Sequence, residues 1–259
     1  MNMKVVVIGA GNLATHLTVA LKKSGFTIVQ IFSRTEDAAS QLAKIVESTW
    51  TINLQELNQE ADIYIFALRD DILAETINKI NIPNALLVHT AGSINISIFA
   101  NKSNPHGVIY PLQTFSKAKK LDFNTVPIFI EGNNEETTKL LLSIVGKLTT
   151  KCFEINSEQR LKLHLSAVFA CNFVNYLYTV AEEIVGEAQL TFDVLKPLIA
   201  ETADKTRTLS PKDAQTGPAV RFDNEVMEKH KTLLVGKPEL LELYTLMSQE
   251  IYKNSKSKV

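Results

Sequence analysis

Over its first 155 residues the chain alternates short β-branched apolar runs with stretches whose apolar positions recur every three or four residues. Runs at 4–8, 27–32, 62–68, 85–90, 107–110, 127–131 and 151–155 predict strands, and 12–24, 36–45, 71–79 and 135–147 predict amphipathic helices between them. Strands separated by helices predict an α/β, Rossmann-like, mostly parallel sheet. Past residue 155 the strand pattern stops, and helices are expected at 157–186, 192–207, 224–234 and 238–253, with the terminal KNSKSKV frayed. The expected organisation is an α/β domain over 1–155 and an all-α C-terminal domain over 156–259, divided near Asn156. Apolar residues run around most of the helix at 157–186, as in a helix buried on all sides. Roughly one hundred helical residues could not cover it alone, so a homodimer through the helical domain is expected.

The junction between the first strand and first helix reads Gly9-Ala10-Gly11-Asn12-Leu13-Ala14. In a Gly-x-Gly-x-x-Ala loop the first glycine permits the tight turn, the second lets the backbone approach a pyrophosphate, and the small third residue lets helix pack on strand. The helix N-terminus then supplies free N–H groups to the negative charge. The second strand ends in Ser33-Arg34-Thr35. An Asp or Glu there would bond a ribose 2′-OH, whereas Ser and Arg suit a 2′-phosphate, so the cofactor is read as NADP. Arg34 as an ordinary surface arginine is the alternative.

Composition narrows the function classes. The 259 residues carry a net charge of −1 with 45% hydrophobic and 21% charged residues, a balance that argues against nucleic acid as a partner. Cys152 and Cys171 have neither disulfide-framework nor zinc spacing, and no His or carboxylate stands at metal-ligand spacing, so no metal is expected. A cytoplasmic location follows from the cysteine usage and from a start that reads as a strand rather than a leader. His164, Asn172, Asn175 and two glutamates interrupt the longest apolar stretch, so no membrane span is expected.

The motifs VVVIGAGNLATHL, IFSRT, ALRDDIL, HTAGS, YPLQTFS, PIFIEG, LSAVFACNF and TGPAVRFD together resemble the Rossmann-like oxidoreductases whose helical half is termed domain of unknown function 2520. That family is similar in architecture to pyrroline-5-carboxylate reductase and the β-hydroxyacid dehydrogenases. The resemblance covers nearly the whole chain. It implies an NADP domain, a helical domain forming much of a dimer interface, and an NADP-dependent oxidoreductase. It also implies that Ala67, Leu68 and Arg69 pass the nicotinamide ribose. In the related dehydrogenases a catalytic lysine lies one turn before a helical Asn, and here that position, before Asn172, is Val168.

Ligands of an open α/β sheet bind outside the carboxyl ends of the strands, which brings three further segments into view. Asp70 and Asp71 are expected to cap the helix they precede. Thr90, Ala91 and Gly92 are small enough to lie against a nicotinamide, with Ser93 toward the substrate and His89 either catalytic or a satisfied strand-end histidine. Tyr110 and Gln113 face the same cleft, unless Tyr110 is a packing residue. On the long helix His164, Val168 and Asn172 are spaced i, i+4, i+8. His164 is either the proton donor or a buried, hydrogen-bonded histidine, and Asn172 is an amide that needs a partner on so apolar a helix. Arg221, in a loop between helices, either clamps a substrate carboxylate or phosphate or pairs with Asp223. The leading expectation is an NADP-dependent oxidoreductase passing hydride between nicotinamide and a small carbonyl, imine or hydroxy substrate between the domains. The alternative is a catalytically silent NADP-binding sensor.

Overall fold

The structure, a computed structural model, describes residues 3–256. Strands β1 (Lys4–Ile8), β2 (Thr27–Phe32), β3 (Thr49–Thr51), β4 (Ile63–Phe66), β5 (Leu86–His89), β6 (His106–Pro111), β7 (Ile128–Gly132) and β8 (Cys152–Glu154) form one sheet in the order β3-β2-β1-β4-β5-β6-β7-β8. All neighbours are parallel except β6 and β7. Helices α1 (Asn12–Lys23), α2 (Glu36–Val46), α3 (Asp70–Lys79) and α4 (Glu135–Val145) make the connections. The order reverses between β1 and β4, so the crevice for a ligand opens beyond Ile8 and Phe66. Of these elements, the edge strand β3 is the one not expected from the apolar pattern. Its three residues are too few to display a period.

Both faces of the sheet are buried, which is why its strands read as continuous apolar runs. Val5 and Val7 of β1 and Ile63 and Ile65 of β4 point to one core with Leu17, Leu42 and Leu141 of the helices. Their neighbours Val6, Ile8, Tyr64 and Phe66 point to the other, with Leu73, Ile77 and Phe99.

Beyond β8 the chain is helical. Helix α5 (Ser157–Ala167) starts at a reciprocal cap, in which Asn156 Oδ1 accepts from Gln159 N at 2.9 Å and Gln159 Oε1 from Asn156 N at 2.9 Å. It passes through a π-helical segment, Val168–Phe173, into α6 (Val174–Glu187). The first compact unit extends to Tyr176 and the second begins at Leu177. Helicity therefore begins at Asn156, but the first helical turns pack as part of the sheet-bearing unit because Arg160 of α5 is buried against Glu131 of β7. The helix at 157–186 is not buried on all sides of the single chain: Leu161, Leu165, Phe169 and Phe173 are each about half exposed or more.

The second unit holds α7 (Lys196–Lys205), the one-turn α8 (Pro218–Arg221), α9 (Asn224–Leu233) and α10 (Pro238–Lys256). His230 of α9 bonds Tyr244 Oη of α10 at 2.9 Å, and Phe222 lies on Tyr252 with ring centroids 4.5 Å apart. Since α10 runs through Lys256, the first four residues of the KNSKSKV tail are helical rather than frayed, and its last three lie outside the described residues. Among the described residues no helix is long and apolar enough to cross a membrane.

Candidate functional site

The glycine loop divides its labour between fold and ligand. Gly9 has φ +126°, and a Cβ there would stand 2.2 Å from the carbonyl oxygen of Ala67, so the loops after β1 and β4 touch at the reversal of strand order. Ala14 is buried between helix and sheet. A Cβ on Gly11 would meet nothing within 4 Å. No part of the protein requires that glycine, which leaves its backbone face open to a ligand. The start of α1 has neither a capping side chain nor an acidic residue in its first turn, whereas α2, α3 and α4 each carry two acids there. Its free N–H groups and the positive end of its dipole suit a phosphate. The side chain of Asn12 is directed to the Phe115 carbonyl at 3.0 Å, which draws the segment after β6 alongside the loop. Ala10 is buried, Leu13 is half-buried, and Ser33 leads to exposed Arg34 and Thr35, with Arg34 in no ion pair among the described residues. These features fit the pyrophosphate and ribose of NAD(P).

A second group of residues assembles beyond β5 and β6. The strand-end segment Thr90-Ala91-Gly92 is buried, and a Cβ on Gly92 would lie 2.7 Å from Nδ1 of His164 and 2.9 Å from Cε2 of Tyr110. His164 therefore rests on Gly92, and its Nδ1 is 3.0 Å from the Tyr110 hydroxyl, with the rings edge to face. Burial pushes the hydroxyl of Tyr110 above its ordinary range, the Arg160 charge opposes this and the Asp70 charge adds to it. Tyr110 is accordingly a phenol at neutral pH. Ser93 bonds the carboxylate of Asp70. Three segments that the sequence nominated separately, around Gly92, Tyr110 and His164, thus meet in one place.

Arg160 was missed by sequence reasoning. Its side chain is 1% exposed, and its guanidinium bonds the Glu131 carboxylate, the Ile94 carbonyl and Ser157 Oγ. Ser157 also gives its N–H and hydroxyl to Glu131, and its oxygen accepts from Ile96 N at 3.0 Å. The network joins β7, the loop after Gly92 and the first turn of α5, one turn before His164. A buried ion pair needs such partners to offset its desolvation, and here they reach both terminal nitrogens of Arg160 while its Nε has no partner among the described residues.

Other nominated residues behave differently. His89 is a buried strand-end histidine but only half satisfied, because its Nε2 has no hydrogen-bond partner among the described residues. It is 0% exposed, its Nδ1 accepts from Ala91 N at 3.2 Å, and its ring stacks on Phe99. Burial, helped by the Arg160 charge, lowers its pKa to about 3, so it is a neutral packing residue with no nitrogen facing solvent. Neither aspartate caps α3: both lie in its first turn, where Asp70 is drawn to Ser93 and Asp71 to Arg69 at 2.9 and 3.1 Å. Capping lost to stronger charge-assisted partners. Leu68 is half-buried beside Gly9. Gln113 is exposed and accepts from Thr114 N at 2.8 Å. Asn172 is exposed within the π segment. The wider winding of a π turn keeps Val168 and Asn172 closer to alignment than an α-helix would, and such segments recur at functional sites.

In the second unit, residues 218–221 form a helical turn where a loop was expected. Asp223 caps α9 by accepting from Val226 N at 3.3 Å, and Arg221 is exposed and does not pair with it. Among the described residues no three His, Cys, Asp or Glu side chains converge as a metal site would require.

Residues 4–107 match the family described as NADP oxidoreductase, coenzyme F420-dependent, and residues 126–251 match domain of unknown function 2520. No curated protein matches the chain. Among solved structures, BF3122 of Bacteroides fragilis, described as a candidate NADP oxidoreductase, is 44% identical, with 97% of this chain and 98% of its own covered and a TM-score of 0.91. Protein TM1727 of Thermotoga maritima is 24% identical over 97% of this chain and 99% of its own, with a TM-score of 0.81. The pyrroline carboxylate reductase of Plasmodium falciparum, solved with NADP bound, is 15% identical over 97% and 98%, with a TM-score of 0.60. The last two share the fold. With an open glycine loop at the reversal of strand order and a relative of this identity along almost its whole length, the chain belongs to the family of NADP oxidoreductases that carry domain of unknown function 2520.

Proposed function

We propose that the protein is an NADP-dependent reductase, or the reverse dehydrogenase, acting on a small imine, carbonyl or hydroxy compound, with His164 as the proton donor. The observation that carries this reading is the Tyr110–His164 pair seated on Gly92 beyond the carboxyl ends of the strands. Gly9 to Leu13 and the start of α1 would hold the pyrophosphate, and Ser33, Arg34 and Thr35 the 2′-phosphate. NADPH supplies a hydride when bound. The chain's own part is orientation and proton supply. Tyr110, kept as a phenol, donates to Nδ1 of His164, and the neutral ring then carries its proton on Nε2, the nitrogen left for substrate. As Nε2 gives that proton up, Nδ1 takes the phenolic proton, so the ring stays neutral and Tyr110 is left as a phenolate until solvent returns its proton and resets the pair. Among the three substrate classes, the Asp70 carboxylate near Tyr110 favours an imine, whose protonated form is cationic.

The test is a screen of imines, carbonyls and hydroxy acids for NADPH oxidation or NADP reduction, followed by His164→Ala and Asn172→Ala. Turnover should collapse with cofactor affinity nearly intact for His164→Ala. Wild-type rates in that variant would remove the assignment. In Arg34→Ala the preference for NADP over NAD should fall about tenfold or more, since a charge-assisted phosphate contact contributes roughly 1.5–3 kcal/mol. Val168, standing where related dehydrogenases place a lysine, favours a second reading, an NADP-binding sensor without turnover. A screen without any turnover would support it. We also propose a homodimer, supported by the exposed apolar ridge on α5 and the π segment, and a cytoplasmic location, which two free cysteines suit.

A further inference from the structure

We propose that a groove along the flank of α1 binds a phosphorylated small molecule at a site separate from the glycine loop. His16, Val19, Ala20 and Lys23 recur at i, i+3, i+4 and i+7 and present one face of the helix. Across from them runs the segment from Lys120 to Asn124, and Lys147 and Leu148 close the end after α4. The groove has a volume of about 640 Å³, within the range of small-molecule sites.

The groove is basic. Several helix lysines are paired with acids three or four residues away, as in Lys79–Glu75, Lys139–Glu135 and Lys162–Glu158. Lys23, Lys120 and Lys147 of the lining form no ion pair among the described residues. The lone acid of the lining, Asp122, is engaged in its own turn, its Oδ1 accepting from Asn124 N and Nδ2, both at 3.0 Å. Three lysines thus line the groove with one carboxylate that is already engaged.

The walls are held in place. Nε2 of His16 donates to the Ser116 carbonyl at 2.9 Å, fixing the lysine-bearing loop to α1. Ser24 Oγ donates to the Lys147 carbonyl at 3.0 Å, and Lys147 Nζ lies 5.0 Å from the ring centroid of Phe26. The floor is apolar, with Ala20, Phe123 and Leu148 buried at its base. Cations over an apolar floor select a ligand with an organic body and a phosphate, for which lysine is a point-charge partner. A net charge of −1 argues against nucleic acid as the occupant.

Phenyl phosphate and inorganic phosphate are titrated into protein saturated with NADPH and followed by residue-resolved NMR. Phenyl phosphate should bind more tightly than inorganic phosphate, shift His16, Phe123 and Leu148, and weaken with added salt. In the triple variant Lys23→Ala, Lys120→Ala, Lys147→Ala, whose changed side chains lie at the surface, affinity should fall about tenfold or more, while Arg34→Ala should leave it unchanged. No saturable binding, unchanged affinity in the triple variant, or shifts confined to Gly9 to Leu13 would each overturn the proposal. Because the shifts are read residue by residue, a failure of NADPH to bind is distinguished from a failure of the groove.

Discussion

The hydroxyl of Tyr110 lies 3.0 Å from Nδ1 of His164, and the two rings, one from the end of β6 and one from α5, meet against Gly92, where any larger residue would push them aside. Neither side chain is anchored by its own element alone. Tyr110 is 7% exposed and therefore fixed, whereas His164 is half-buried and is placed by the helix that Arg160 and Glu131 tie to the sheet.

Removing the hydroxyl separates orientation from chemistry. In Tyr110→Phe the ring remains but Nδ1 loses its partner, and His164 is free to exchange tautomers. Turnover should fall about tenfold to a hundredfold, the cost of losing a hydrogen bond of roughly 1.5–3 kcal/mol in which one partner becomes charged. His164→Ala should cost at least as much, and the double variant no more than His164→Ala alone, because Tyr110 acts through His164. Additive losses in the double variant would show that the two act independently.

The two loop glycines should fail in opposite ways. Gly9→Ala forces a side chain at φ +126° into the Ala67 carbonyl, so its thermal midpoint should drop, with a cost of roughly 1–3 kcal/mol or more. Gly11→Ala meets open space, so stability should hold while NADPH affinity falls. Calorimetry of both variants with and without NADPH checks the pair. Equal loss of stability in both would mean that Gly11 serves the fold.

What was readable in the sequence follows how local each feature is. The glycine loop and its helix occupy consecutive residues, so spacing alone conveyed them, and the parallel sheet followed from apolar runs lengthened by burial on both faces. Tyr110 and His164 stood out one by one, but 54 residues separate them and no pattern announces their contact. Arg160 reads like Lys162 two residues on, yet one is buried and the other exposed in an ion pair with Glu158. That difference is set by Glu131 in another element. The π segment was invisible because a change of winding leaves composition and apolar content as they were.

His89 makes stability depend on pH. Its pKa falls from an ordinary 6.5 to about 3 in the folded protein, by burial and the Arg160 charge. Between those values the unfolded chain binds a proton that the folded chain refuses, so stability rises with pH across this window and the penalty vanishes above pH 6.5. The slope is about 1.4 kcal/mol per pH unit at most. In His89→Asn, which can still accept from Ala91 N, the loss of stability from pH 7 to pH 5 in urea titrations should shrink by roughly 2 kcal/mol. The same loss in wild type and variant would show that His89 does not titrate in the unfolded state as assumed.

The apolar ridge gives the last prediction. Leu161, Leu165, Phe169 and Phe173 follow one another at four-residue spacing with side chains 49%, 55%, 62% and 49% exposed, and the two phenylalanines pack edge to face. Covering a large apolar side chain contributes roughly 1.5–3 kcal/mol, and a ridge of this kind on one helix is self-complementary across a two-fold axis. Light scattering at micromolar concentration should therefore give twice the 28.8 kDa of the chain. Phe169→Glu places a charge in the middle of the ridge without touching a buried residue. It should yield monomers that keep the far-ultraviolet spectrum of the wild type. A wild-type monomer, or a Phe169→Glu dimer of unchanged affinity, would show that the ridge is not where two copies meet.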